Sequence, residues 1–179
     1  MNRIRVFSLA GAALLLVAAV FLWASATIAD SNRRTLRADL EAFSEVPAIS
    51  STASGDFSIQ IAKDGLSAEY ELEYENISAT VLFAHIHLGQ KDVNGGIMAF
   101  LCGGNSKPTP CPTPGGKVTG TIVASDIIGP AGQGVTAGEF AEFIRAIRAG
   151  KAYANVHSQN FPGGEIRGQI RGNNGHHDD

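Results

Sequence analysis

The stretch LSAEYELEY, Leu66 to Tyr74, constrains this chain most. Leu66, Ala68, Tyr70, Leu72 and Tyr74 alternate with Ser67, Glu69, Glu71 and Glu73. A period of two places the apolar set on one face of a β-strand and the acids on the other. A slip of one residue would bury three glutamates, so the register is strongly specified. The glutamates read as a solvated strand face rather than as a pair of catalytic carboxylates.

The same pattern recurs along the chain. Leu36, Ala38, Leu40 and Ala42 alternate with Arg37, Asp39 and Glu41, and DFSIQIA repeats it with Phe57, Ile59 and Ile61. Lys63-Asp64-Gly65 is a hairpin turn, because Asp-Gly tolerates positive φ cheaply. TVLFAHIHL predicts a strand with Leu82, Ala84, Ile86 and Leu88 on one face and Phe83, His85 and His87 on the other. IMAFLC reads as a short buried strand, and GKVTGTIVASD as another with Val118, Gly120 and Ile122 on one side. KAYANVHSQ divides into Tyr153, Asn155 and His157 against Ala154 and Val156. In the last strand Ile166, Gly168 and Ile170 oppose Arg167, Gln169 and Arg171. With 21 glycines and regular turn signals, this predicts an all-β, antiparallel Greek-key sandwich of about eight strands.

One segment has a helical period. Phe140, Phe143, Ile144 and Ile147 share a face, and Thr136 with Glu139 has the spacing of a capping box. Glu139 and Glu142 near the start, Arg145 and Arg148 near the end, and Gly150 as the stop all suit a helix. Its expected role is to cover an open end of the sandwich.

The first 29 residues stand apart from this pattern. Arg3 and Arg5 precede an uncharged run from Val6 to Trp23, followed by the small residues ASATIA. This reads as an export signal with cleavage after Ala26 or Ala29, or as a retained anchor, since the run is just long enough to span a bilayer. Both place the domain, residues 30–172, outside the cytoplasm: periplasmic, cell-surface or extracellular. Membrane association is expected only through an uncleaved leader. Cys102 and Cys111 fit that address and are expected to form a disulfide. Closing so short a loop stabilises by about 2–3 kcal/mol on the chain-entropy model. The tail, residues 173–179, is polar and is expected to be disordered, and its His176 and His177 offer only an adventitious metal site.

Some function classes drop out. A net charge of −3 with no basic stripe argues against nucleic acid. Gly163-Gly164 precedes a strand rather than a helix, so it is a turn and not a phosphate loop. No nucleophile elbow is present.

Two of the chain's five histidines flank a single isoleucine in AHIHLGQ. His85 and His87, two apart on a strand, share a face. His157 lies on the polar face of a later strand. If the two strands adjoin, three neutral imidazoles converge, a set that suits copper or zinc. The competing reading is a polar network of His85, His87, Asn155, His157 and Glu165 that fixes strand register without a ligand. Arg167 is grouped with Asn155 and Glu165 in that polar set.

Three motifs in order carry a family resemblance: ADLEAFSEVPAISSTASGDFSI, AHIHLGQKDVNGGIMAFLC, and AGKAYANVHSQNFPGGEIRGQI. Together they resemble the CHRD domain, a module named for chordin and found alone in many exported bacterial proteins. The resemblance spans residues 34–172. It implies an antiparallel β-sandwich and no family-wide catalytic residues. The function it implies is therefore a non-catalytic binding or interaction module, with an extracellular or periplasmic protein or glycan as partner. A fainter similarity runs to copper/zinc superoxide dismutases, which pair a His-x-His strand with a later copper ligand. In that reading His85, His87 and His157 form a three-histidine site with residual redox activity. The zinc ligands of that family's long loop have no counterparts here, and its active-site arginine does not line up at Arg167.

Overall fold

A computed structural model describes residues 35–172. The leader and the tail, with His176 and His177, lie outside the described residues. The strands are β1 (Thr35–Glu41), β2 (Ser54–Ile61), β3 (Ser67–Glu75), β4 (Val81–Leu88), β5 (Gly96–Cys102), β6 (Gly116–Val123), β7 (Ala152–Ser158) and β8 (Ile166–Gln169). A two-residue strand, β9 (Arg171–Gly172), continues β8 and pairs with β1. One helix, α1 (Phe140–Arg148), lies between β6 and β7.

The chain is all-β. Eight antiparallel strands form a nearly closed, barrel-like sheet in the order β5-β4-β7-β8-β1-β2-β3-β6. The two faces expected of a sandwich are thus two halves of one sheet, joined where Glu41 of β1 pairs with Arg167 of β8. That seam requires glycine at position 168, because a Cβ there would stand 2.3 Å from the Asp39 carbonyl oxygen. On the far side, β5 and β6 are drawn together. Tyr70 of β3 reaches past Gly120 and donates its hydroxyl to the Leu101 carbonyl at 2.7 Å. The Cys102–Cys111 disulfide closes the connection between β5 and β6, with the two Cα atoms 5.3 Å apart.

One core fills the barrel. Phe57, Ile59, Leu72, Ile86, Met98 and Ile122 are all buried within it. Each such side chain contributes about 1.5–3 kcal/mol through its removal from water. The helix adds Phe140, Phe143, Ile144 and Ile147 to the same cluster, so its predicted apolar face is the one it buries.

Three local expectations are corrected. Leu66 is not part of the β3 apolar face; it sits in the turn and is 71% exposed. In β4 a register irregularity between Val81 and Phe83 puts Val81 in the core where alternation predicted Leu82. A bulge adds one residue and so switches the face of everything before it. The helix begins at Phe140 rather than just after Thr136, because Gly138 takes a positive φ of 87°. Glu139 still reaches back to the Thr136 N–H, at 2.6 Å, which is half of the expected box.

Candidate metal centre

Strands β4 and β7 are neighbours, and their register sets the site. Phe83 pairs with His157, His85 with Asn155, and His87 with Tyr153. Ala84, Ile86, Ala154 and Val156 point into the core, so the histidines, Asn155 and Tyr153 share the outer face. That face is not solvated. His85 is 2% exposed, His87 8% and His157 6%. The loops after β1, β4 and β7 cover it, and contribute Glu45, Gly95 and Pro162.

The three imidazoles converge. One ring nitrogen from each lies within 4.8 Å of the others. His87 Nδ1 is 2.9 Å from the Gly95 carbonyl oxygen, and His157 Nδ1 is 2.9 Å from that of Pro162. A carbonyl only accepts, so both Nδ1 atoms carry the proton and both Nε2 atoms carry a lone pair. His87 Nε2 stands 3.1 Å from His85 Nδ1. His157 Nε2 stands 2.9 Å from Asn155 Oδ1, which in turn is 3.4 Å from His85 Nδ1. On the other side, Asn155 Nδ2 donates to Glu45 Oε1 at 3.4 Å. Two acceptors, His157 Nε2 and Asn155 Oδ1, therefore face each other with no proton to share.

The surroundings keep the imidazoles neutral. Burial pushes His85 down to about 3, and the neighbouring His157 and His87 add to the effect. Burial also lowers His157, to about 4, against the pull of the Pro162 carbonyl. His87 is lowered too, by burial first. The walls are aromatic: Phe83 lies 4.7 Å from His85 and 4.8 Å from His157, ring centre to ring centre, and Phe100 lies 4.7 Å from His85. Tyr153 stacks flat on His87 at 4.7 Å, and the Arg167 guanidinium lies 3.4 Å over the Tyr153 ring. The same guanidinium donates to Asn94 Oδ1 and to the Gln90 and Val93 carbonyls, which holds down the loop after β4.

Of the residues singled out from sequence, His85, His87, His157 and Asn155 come together. Arg167 stands beside them through Tyr153. Glu165 does not join. It accepts from the hydroxyls of Ser51, Ser78 and Ser158 and from the Ser78 N–H, on the far side of the β7–β8 turn. Burial alone would raise its carboxyl, but these four bonds outweigh it and hold the pKa below the ordinary value. The acid that does meet the cluster is Glu45, whose carboxyl is raised by burial. Gly164 makes room for it: a Cβ there would lie 2.4 Å from Glu45 Oε1 and 2.8 Å from Asn155 Nδ2. Sequence reasoning missed Glu45 and Tyr153. Glu45 was visible only as part of the EVP motif, whereas Tyr153 shares the alternating face of Asn155 and His157.

The CHRD domain family model matches residues 36–170, most of the chain, and the chain belongs to that family. No curated protein and no solved structure matched it.

Proposed function

We propose that this CHRD domain is a non-catalytic metal-binding module that holds one copper or zinc ion through His85, His87 and His157. The observation that carries this reading is the direction of the lone pairs. Backbone carbonyls take the Nδ1 protons of His87 and His157, which leaves a lone pair on each Nε2, that of His87 facing His85 Nδ1 and that of His157 facing Asn155 Oδ1. Fixing a ligand tautomer through the other ring nitrogen is the usual outer-shell device of histidine metal sites. Spacing agrees. Around an ion held at about 2.0–2.1 Å by four donors, neighbouring donors stand about 2.8–3.4 Å apart. The separations of 2.9, 3.1 and 3.4 Å lie in that range, one of them between two imidazoles; the three histidine nitrogens as a set spread over up to 4.8 Å, so the rings would have to draw in on the ion. A cation at the centre would also remove the clash between the two facing acceptors. The disulfide is consistent with export, and with the N-terminal leader it supports action outside the cytoplasm.

A metal-free network is the second reading, and the Glu45 carboxyl favours it. Turned end for end, the Asn155 amide would donate to His157 Nε2 and accept from a protonated Glu45, whose pKa is raised by burial. Metal content decides between them. The full chain, carrying H176N and H177N and purified without metal-affinity resin, is expected to hold about one copper or zinc per chain. That ion should be lost in H87A. A chain that takes up neither ion after incubation with both, while H87A still lowers its melting temperature, would overturn the metal reading and leave the network.

A further inference from the structure

We infer that the site selects a monovalent over a divalent ion, and therefore holds copper as Cu(I) in preference to Zn(II) or Cu(II). This rests on the metal-binding reading above and adds the charge of the ligand. Among the described residues, the converging His, Cys, Asp and Glu groups that could hold an ion are the three histidines alone. All three are neutral imidazoles, and the fourth converging atom, Asn155 Oδ1, belongs to a neutral amide. No carboxylate or thiolate enters the donor set.

Nor does the next layer supply a clear counter-charge. Glu45 touches the far end of the amide, not an imidazole. The Arg167 guanidinium lies against the other face of the ring on which His87 stacks. A glutamate charge there is offset by the arginine, and a protonated Glu45 would leave the arginine uncompensated. In both cases the full charge of the ion stays unneutralised inside a wall of Phe83, Phe100 and Tyr153, where the three imidazoles are at most 8% exposed. The cost of moving an ion out of water grows with the square of its charge, so a divalent ion costs roughly four times a monovalent one here. Zinc and cupric sites commonly recover that cost with anionic ligands or a bound hydroxide. Three neutral imidazoles suit Cu(I), which needs few ligands and brings a single charge.

The test measures affinity ion by ion on the full chain carrying H176N and H177N. Cu(I) is titrated anaerobically against bicinchoninate, and Zn(II) and Cu(II) against chelating dyes of known affinity. One Cu(I) per chain is expected, bound at least about a hundredfold more tightly than Zn(II). The isosteric double variant E45Q/N155D places an anionic oxygen among the donors, with the glutamine amide standing where the Glu45 carboxylate would otherwise face it and force a shared proton. It should shrink the Cu(I)-to-Zn(II) ratio by about tenfold or more. Zn(II) or Cu(II) bound as tightly as Cu(I) would overturn the inference while leaving the metal site standing. A ratio unchanged in E45Q/N155D would overturn the charge argument in the same way. No uptake of any of the three ions would overturn both.

Discussion

Acid should unfold this domain through its buried histidines, well before its carboxylates protonate. In the folded chain burial holds His85 down to about 3 and His157 down to about 4. Unfolded, each returns to about 6.5. Below pH 6.5 the unfolded chain therefore binds protons that the folded chain refuses, and stability falls as pH falls. Between pH 7 and pH 5 each of the two histidines costs close to ~2 kcal/mol, or about 4 kcal/mol together. His87 adds a loss of the same sign. Glu45 opposes it, because a raised carboxyl pKa lets the folded state take up a proton first. Glu165 adds nothing in this window. Its folded pKa is depressed, so its contribution persists down to its unfolded value and is lost only as pH drops below that. The assay is urea denaturation at half-unit pH steps with EDTA present, followed by circular dichroism. The extrapolated stability should drop by about 4 kcal/mol from pH 7 to 5, equivalent to roughly 10–20 °C in melting temperature for a domain of this size. In H157Q one of the two titrating groups is gone, and about half of the drop should go with it. A wild-type profile that changes by less than ~1 kcal/mol over this range would refute neutral burial of these imidazoles.

Two further predictions concern the frame around the site. E165A removes one carboxylate that accepts four hydrogen bonds from Ser51, Ser78 and Ser158, and should cost about 2 kcal/mol, chiefly by leaving the buried Ser158 hydroxyl unmet while half-buried Ser51 and exposed Ser78 turn to water. Chemical denaturation measures it, and a loss below ~1 kcal/mol would show those serines rearranging to other partners. G168A drives a methyl group into the Asp39 carbonyl at the β1–β8 seam, and should cost about 3 kcal/mol. Amide exchange in β8 and β1 should rise more than in β2 and β3; a uniform rise would place the weakness elsewhere.

The strands were legible because alternation is a local property. Each strand's apolar and polar faces follow from its own residues, as in Tyr70, Leu72 and Tyr74 against Glu69, Glu71 and Glu73. Failures occurred where one residue changed phase or lay at an end. The irregularity after Val81 moved Leu82 off the core, and Leu66 fell one position before its strand began. Nothing in either segment's composition marks those points, since a bulge depends on how the partner strand is held.

Sequence by itself determined that His85 and His87 share a face, that Asn155 and His157 share another, and that Cys102 and Cys111 close a short loop. It also carried the family, through motifs distributed along nearly the whole domain. Only tertiary structure decided that β4 and β7 are neighbours, because strand order depends on how the whole sheet closes and not on any one strand's pattern. It likewise decided that the outer, polar face lies buried beneath three loops, and that Glu45, distant in sequence, meets Asn155 in place of Glu165. Solvent access and long-range side-chain contacts are sums over the folded chain. The period of a strand can say which residues point together, but not what will come to cover them.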